Sequence, residues 1–307
     1  SSEAGRAAAQ KKLGDALAVE DAREMGLLLS AGPQIQKIQE ILHKPTASFT
    51  ENLIWDVRAV YDGLLESHPD VAPYVAVIAM NRLAKPWEAL RLPMLITRHT
   101  DDTLIAKTDM GLVGEILFTR MDTLKTSIQR TRHPLFDAEI LMEEVRVFAG
   151  LSSHIVKEIE LKRGGEWGKR LLDERALIGQ VMETFMDRAP KEFAAALPTQ
   201  KAAGADFSKP VSAEKREMAL RYVRLVSGSR DFAAAASFAA KQKAIFDALC
   251  TALQRYNENL VNALKAADPA RAEIVQAQLE FCAQLTVILF GKEDAELLRR
   301  RAKAAAA

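Results

Sequence analysis

Among the residues whose types and spacing could do chemistry, the densest group runs Lys162-Arg163-Gly164-Gly165-Glu166-Trp167-Gly168-Lys169-Arg170. Four cations, three glycines and a tryptophan fill a junction between two expected helices. Arg163, Lys169 and Arg170, together with the backbone N–H groups that open the second helix, make a candidate site for a small anion or an acidic partner. Trp167 is its candidate aromatic anchor. A plain helix junction accounts for most of the same residues. The glycines would end one helix, Lys162 and Arg163 would complement its negative end, and Trp167 would pack over the turn. Lys169 and Arg170 fit that account less well, because cations in a first helical turn oppose the helix dipole.

Other constellations are weaker. His154, with Glu158 one turn later and Glu143 earlier on the same expected helix, could offer an imidazole and two carboxylates on one face. A zinc protease motif needs a second histidine within helical reach, which is missing, so a surface pair of His154 with Glu158 is the simpler expectation. Glu40-Ile41-Leu42-His43 has the Glu-x-x-His spacing of a dimetal bundle, but a bundle site requires two such helices and no other histidine has a glutamate three residues before it. Cys250 and Cys282 sit among leucines and phenylalanine, with no cation or helix start to lower a thiol pKa, and read as core positions out of register for a disulfide. Neither a Gly-x-Ser-x-Gly elbow nor a phosphate-binding glycine loop occurs. The sequence therefore assigns no catalytic residue, no metal and no cofactor.

The elements that must carry these residues are helices. Hairpin turns of the Asn-Gly or Asp-Gly type and alternating strand patterns are missing, while apolar residues recur at intervals of three and four. Leu53, Ile54, Val57, Val60, Tyr61, Leu64 and Leu65 mark one helix that stops near His68-Pro69. Val71 to Leu83 is apolar on most sides and reads as a central helix. Three longer helices follow, with stripes from Val113 to Ile128, from Ile140 to Ile159 and from Leu171 to Phe185. Trp55 and Trp87 read as core, and Thr100 or Asp101 as the cap of a short helix.

A polar, small-residue stretch at 198–211 reads as a linker or long loop. It separates residues 1–197, an N-terminal multi-helix up-and-down bundle, from 212–307, a C-terminal helical hairpin region. That region should hold a helix from Ser212 to Val226, a long one from about Phe232 to Leu264, and one opened by Asp268-Pro269 and closed by Gly291. Basic runs at Arg130-Thr131-Arg132-His133 and Arg299-Arg300-Arg301 have simple helix-end explanations.

Composition narrows the classes. Forty-two Lys and Arg against 41 Asp and Glu give a net charge of +1, which removes the global argument for a nucleic-acid partner. The longest apolar run, Val71 to Met80, is too short for a membrane span. Two cysteines in 307 residues favour the cytoplasm. The expectation is an all-α, non-enzymatic protein that acts through helical surfaces, either as a scaffold for another protein or by self-association. The alternatives are a regulatory bundle holding a small anionic ligand at Arg163, Trp167, Lys169 and Arg170, and an enzyme whose cleft is assembled from residues distant in sequence.

Overall fold

The computed structural model describes residues 16–131, 136–198, 200–201, 204–205, 210–265 and 269–306. The protein is all-α. Thirteen α-helices occur among these residues: α1 (Ala16–Ser30), α2 (Gly32–Ile41), α3 (Glu51–Ser67), α4 (Tyr74–Arg82), α5 (Arg91–Thr97), α6 (Asp102–Ile105), α7 (Leu112–Arg130), α8 (Ala138–Glu158), α9 (Glu166–Ala195), α10 (Ala213–Gly228), α11 (Ala239–Lys265), α12 (Pro269–Leu289) and α13 (Lys292–Ala306). Among the described residues, extended pairing is confined to two single bridges and a two-residue antiparallel ladder of Gln200–Lys201 with Gly204–Ala205. No described helix is long and apolar enough to cross a membrane.

The chain forms two compact units, one of Ser1–Arg120 with His154–Leu171 and one of Met121–Ser153 with Leu172–Ala307. Helices α7, α8 and α9 each supply residues to both. The described residues on both sides of 198–211, a stretch expected to part a bundle from a hairpin, belong to the second unit. Arg132 and His133 of one basic run, and Asp268 before α12, fall outside the described residues.

In the first unit, α3 buries Ile54, Val57, Tyr61 and Leu64, a stripe at helical spacing that faces α2, α4 and α5. The apolar α4 buries Val75, Ala76, Ala79 and Met80, in keeping with its expected central place. Its end is tied to the α2–α3 connection by Thr46, whose amide donates to Arg82 O at 2.8 Å and whose carbonyl accepts from Ala84 N at 2.8 Å.

In the second unit the two long helices α11 and α12 pack on each other, and α12, apolar on most of its circumference, takes further neighbours. It buries Val275, Leu279, Phe281, Cys282, Leu285 and Leu289, and it packs against α10, α11 and α13. One neighbour could not cover that surface. Gly291, at φ +113°, ends α12 as the sequence implies, and α13 then runs to Ala306. Helix α11 starts at Ala239, seven residues later than its apolar pattern suggests. Ser237 is left-handed at φ 66°, and Phe238 N returns to Ala233 O at 2.9 Å, so residues 229–238 form a compact turn.

The core of this unit joins residues from both sides of 198–211. Phe136 meets Phe185 and Tyr222 edge-on, with ring centroids 4.8 and 5.0 Å away, and Gln278 Nε2 donates to Ala196 O at 3.3 Å. Gly228 lies so close to Met142 that an added Cβ would stand 2.5 Å from its sulfur. Separate pieces 1–197 and 212–307 should therefore each expose half of one core. Expressed alone they should give little cooperative thermal unfolding by circular dichroism, and mixing should restore it. Two independently cooperative fragments would show that this core is dispensable.

Burial also sets an alkaline limit. It holds the Tyr222 phenol up to about 12, the Cys282 thiol up to about 12, and the Tyr256 phenol further still above its usual 10.0. Above about pH 9 the unfolded chain releases these protons while the folded chain keeps them, so the unfolded state binds fewer protons and stability falls as pH rises. The melting temperature should decline from about pH 9 to pH 11. In Tyr256→Phe the decline should be shallower; an unchanged slope would remove Tyr256 from the account.

Candidate functional site

The Lys162–Arg170 junction is organised by a residue from a distant part of the sequence. Asp102 is fully buried, at 0% exposure. Its Oδ1 accepts from Lys162 N at 2.9 Å and its Oδ2 from Gly168 N at 3.2 Å, in the first turn of α9. The carboxylate thus occupies the place an external anion would take, where the unpaired amides and positive end of α9 favour negative charge. Asp101 caps α6, accepting from Thr103 N at 3.0 Å and Leu104 N at 3.3 Å, as the sequence suggests. The Thr103 hydroxyl, then these amides, hold the Asp101 carboxyl below the usual carboxylate range. A parallel bridge completes the clip, with Asp102 N donating to Glu160 O at 3.2 Å and Glu160 N to Thr100 O at 3.0 Å.

Glycine is required where this clip closes. A Cβ on Gly165 would stand 2.4 Å from Asp102 Oδ2, and one on Gly168 would stand 2.0 Å from Lys162 O. The three glycines that drew attention to the junction are thus explained in part by close approach rather than by ligand access.

Trp167 is a core residue and not a surface anchor. Only 1% exposed, it donates from Nε1 to Glu115 Oε1 at 2.6 Å and lies 6.0 Å from the Phe118 ring. Its indole fills the space over Gly114, where an added Cβ would be 2.3 Å from the ring. Burial of so large a ring stabilises the unit, and its N–H has the partner a buried indole needs. Arg170 is drawn to the same place: NH1 pairs with Glu115 Oε2 at 3.1 Å, and the guanidinium sits 5.0 Å from the centre of Phe118. Glu115 neutralises the cation that seemed misplaced at a helix start. Arg163 and Lys169 stay exposed. The structure therefore gathers Trp167 and Arg170 on Glu115 and leaves the other two candidates in solvent.

The His154 constellation also resolves into packing. His154 stacks on Trp87 with centroids 4.0 Å apart and planes 29° apart, and Trp87, expected in the core, is only partly buried. Glu158 does not pair with His154. It takes a two-pronged bond from Arg91, with Nε to Oε2 at 2.7 Å and NH2 to Oε1 at 2.8 Å. Arg91 also donates to Phe49 O at 3.1 Å, and buried Glu88 accepts from Phe49 N at 2.6 Å. The hydrogen bond that Arg91 donates to Glu158 raises the Arg91 pKa above its ordinary value. Glu143 pairs with Arg146 at the surface instead.

Glu40 accepts from Gln36, and His43 is exposed at the start of the α2–α3 connection. No group of three or more metal-binding side chains occurs among the described residues. Cys282 is buried and Cys250 half-buried, and both are free thiols whose pKa burial raises, the reverse of what a nucleophile needs. In the second unit an open groove of about 900 Å³ runs along α11, lined by Leu197, Asp247, Thr251, Arg255, Tyr256 and Asn259. None of the residues singled out in the sequence lines it.

Comparison of the chain with protein families, with curated proteins and with solved structures finds no match. The residues that sequence reasoning missed are Glu115, Glu88, Arg91 and the role of Asp102. Their only signal was charge in or beside an apolar stripe.

Removing Asp102 strands one buried amide, Gly168 N, and one partly buried amide, Lys162 N, and a buried amide left unpaired costs about 1–3 kcal/mol. Asp102→Ala should thus lower stability by at least ~2 kcal/mol in urea unfolding, and Gly114→Ala by ~1–3 kcal/mol through overpacking against Trp167. Arg163→Ala and Lys169→Ala should stay within about 0.5 kcal/mol of the parent. The opposite ranking would mean that the clip does not hold the junction.

Proposed function

We propose that this protein is a non-enzymatic helical interaction or scaffold protein that presents outward helix faces to another protein or to a second copy of itself. The observation that carries this reading is large apolar side chains held in solvent at helical spacing. On α3, Trp55 is 51% and Leu65 49% exposed; on α1, Met25 and Leu29, one turn apart, are 63% and 76% exposed. Isolated exposed apolar residues are ordinary on protein surfaces, whereas pairs aligned along one helix face resemble the anchors of helix-mediated docking. The buried and half-buried charges support the same reading, since Asp102, Glu115, Glu88, Arg91 and Glu158 are all engaged in holding helices together.

An anionic ligand at the α9 junction has less support. Asp102 already takes the amides such a ligand would need, and Trp167 offers it no surface.

The test pairs Trp55→Ser/Leu65→Ser and Met25→Ser/Leu29→Ser with the parent protein. Surface positions of this kind should shift stability by no more than about 0.5 kcal/mol per site. A complex first identified by cross-linking in the cells that express the protein, then rebuilt from purified components, should weaken at least about tenfold in one of the two variants. An interaction indifferent to both pairs, or a purified protein that binds nothing so identified, would sink the reading.

A further inference from the structure

The exposed face of α3 is self-complementary, and we infer that it docks against the same face of a second copy of this chain in an antiparallel, two-fold arrangement. This inference rests on the interaction reading above and names its partner. Trp55, Arg58, Asp62 and Leu65 follow one another at intervals of three, four and three residues, which aligns them along one stripe about 15 Å long. Read in one direction the stripe is apolar, cationic, anionic, apolar; read in reverse it is apolar, anionic, cationic, apolar. An antiparallel copy centred on Val60 therefore places Trp55 opposite Leu65 and Arg58 opposite Asp62. By symmetry each pairing occurs twice, which is the defining property of a two-fold interface.

The local structure suits this use. Trp55 and Leu65 are half exposed, and the Asp62 side chain is 56% exposed. Arg58 is already oriented, with its guanidinium 5.4 Å from the centre of the Trp55 ring and NH1 donating to Leu95 O at 3.0 Å. Its bond to Asp62 within the helix is long, at 3.6 Å, so the exposed Asp62 carboxylate can accept from a second copy, while the Arg58 side chain, 21% exposed, presents only its outer edge. Between the two apolar ends lie Ala59 and Gly63, both exposed, and a Cβ on Gly63 would touch nothing. The adjoining side of α3 is committed to the core through Ile54, Val57, Tyr61 and Leu64, so the stripe is presented on a fixed support.

A heterologous partner could also cover this face, but nothing about a heterologous partner requires the reversed charge order. The charge order supplies the test. Arg58→Glu sets a new carboxylate against Asp62 of the second copy, and Asp62→Arg sets a new guanidinium against Arg58 of the second copy. Each variant alone then carries two repulsive pairs. Mixed together, one chain of each carries one pair of swapped charges that attract and one pair of original charges that attract.

Sedimentation equilibrium of the full chain, from ~1 µM to ~1 mM, should show a monomer–dimer equilibrium for the parent. Arg58→Glu, Asp62→Arg and Trp55→Ala should each weaken it at least about tenfold while circular dichroism stays that of the parent, with a lowered melting temperature for Arg58→Glu, which also loses its bond to Leu95 O. An equimolar mixture of Arg58→Glu with Asp62→Arg should recover association to within about threefold of the parent. A parent monomeric throughout overturns the inference. So does a dimer that the single charge reversals leave intact, or one that their mixture fails to restore. If the protein is monomeric yet a reconstituted complex with another protein is lost in Trp55→Ser/Leu65→Ser, the self-docking inference fails while the interaction reading stands.

Discussion

A carboxylate with no exposure to water persists in a folded protein only when hydrogen-bond donors replace the hydration it has lost. Asp102 meets that condition through the amides of Lys162 and Gly168, and the rest of the first unit's junction depends on it. The carboxylate fixes where the chain leaves α8, how it turns at Gly164-Gly165, and where α9 begins. Once α9 begins there, Trp167 falls over Gly114 and beneath Glu115, and Arg170 reaches the other oxygen of the same Glu115 carboxylate. A buried acid, two glycines that cannot carry a side chain and one indole therefore form a single packing unit. Each makes the others necessary.

The same economy appears elsewhere. Arg91 joins Glu158, Glu88 and the backbone of Phe49, so that a cation on one short helix ties together three segments well apart in sequence. Gln242 donates to Val226 O at 2.8 Å, and Gln278 to Ala196 O, in the second unit. Polar side chains placed within apolar stripes here mostly satisfy carbonyls and amides that helix ends leave open. Chemistry-bearing residue types are thus consumed by structure. What remains for recognition is the outward side of helices such as α3, where apolar and charged groups meet solvent.

The stripes of α3, α7, α8 and α9 were legible in the sequence because helical burial repeats every three to four residues whatever the partner. Exposure was less legible. Trp55 and Ile140 belong to apolar runs yet stand 51% and 60% exposed, since a run wider than the available neighbour leaves its edge uncovered. Leu172 is 50% exposed for a residue inside the stripe of α9. Trp167 errs the other way: its setting among glycines and cations suggested a surface, but Gly114, far away in sequence, provides its pocket.

By itself the sequence determined that this is an all-α chain, where most long helices start and stop, and that Gly291 ends α12. Those properties rest on local periodicity and capping, which act within a few residues. Only the tertiary structure decided that Asp102 fills the α9 N-terminus, that residues before and after 198–211 share a core, and that Trp55 faces water. Each of these depends on pairs separated by many tens of residues, and helical spacing carries no record of which distant surface covers a given face.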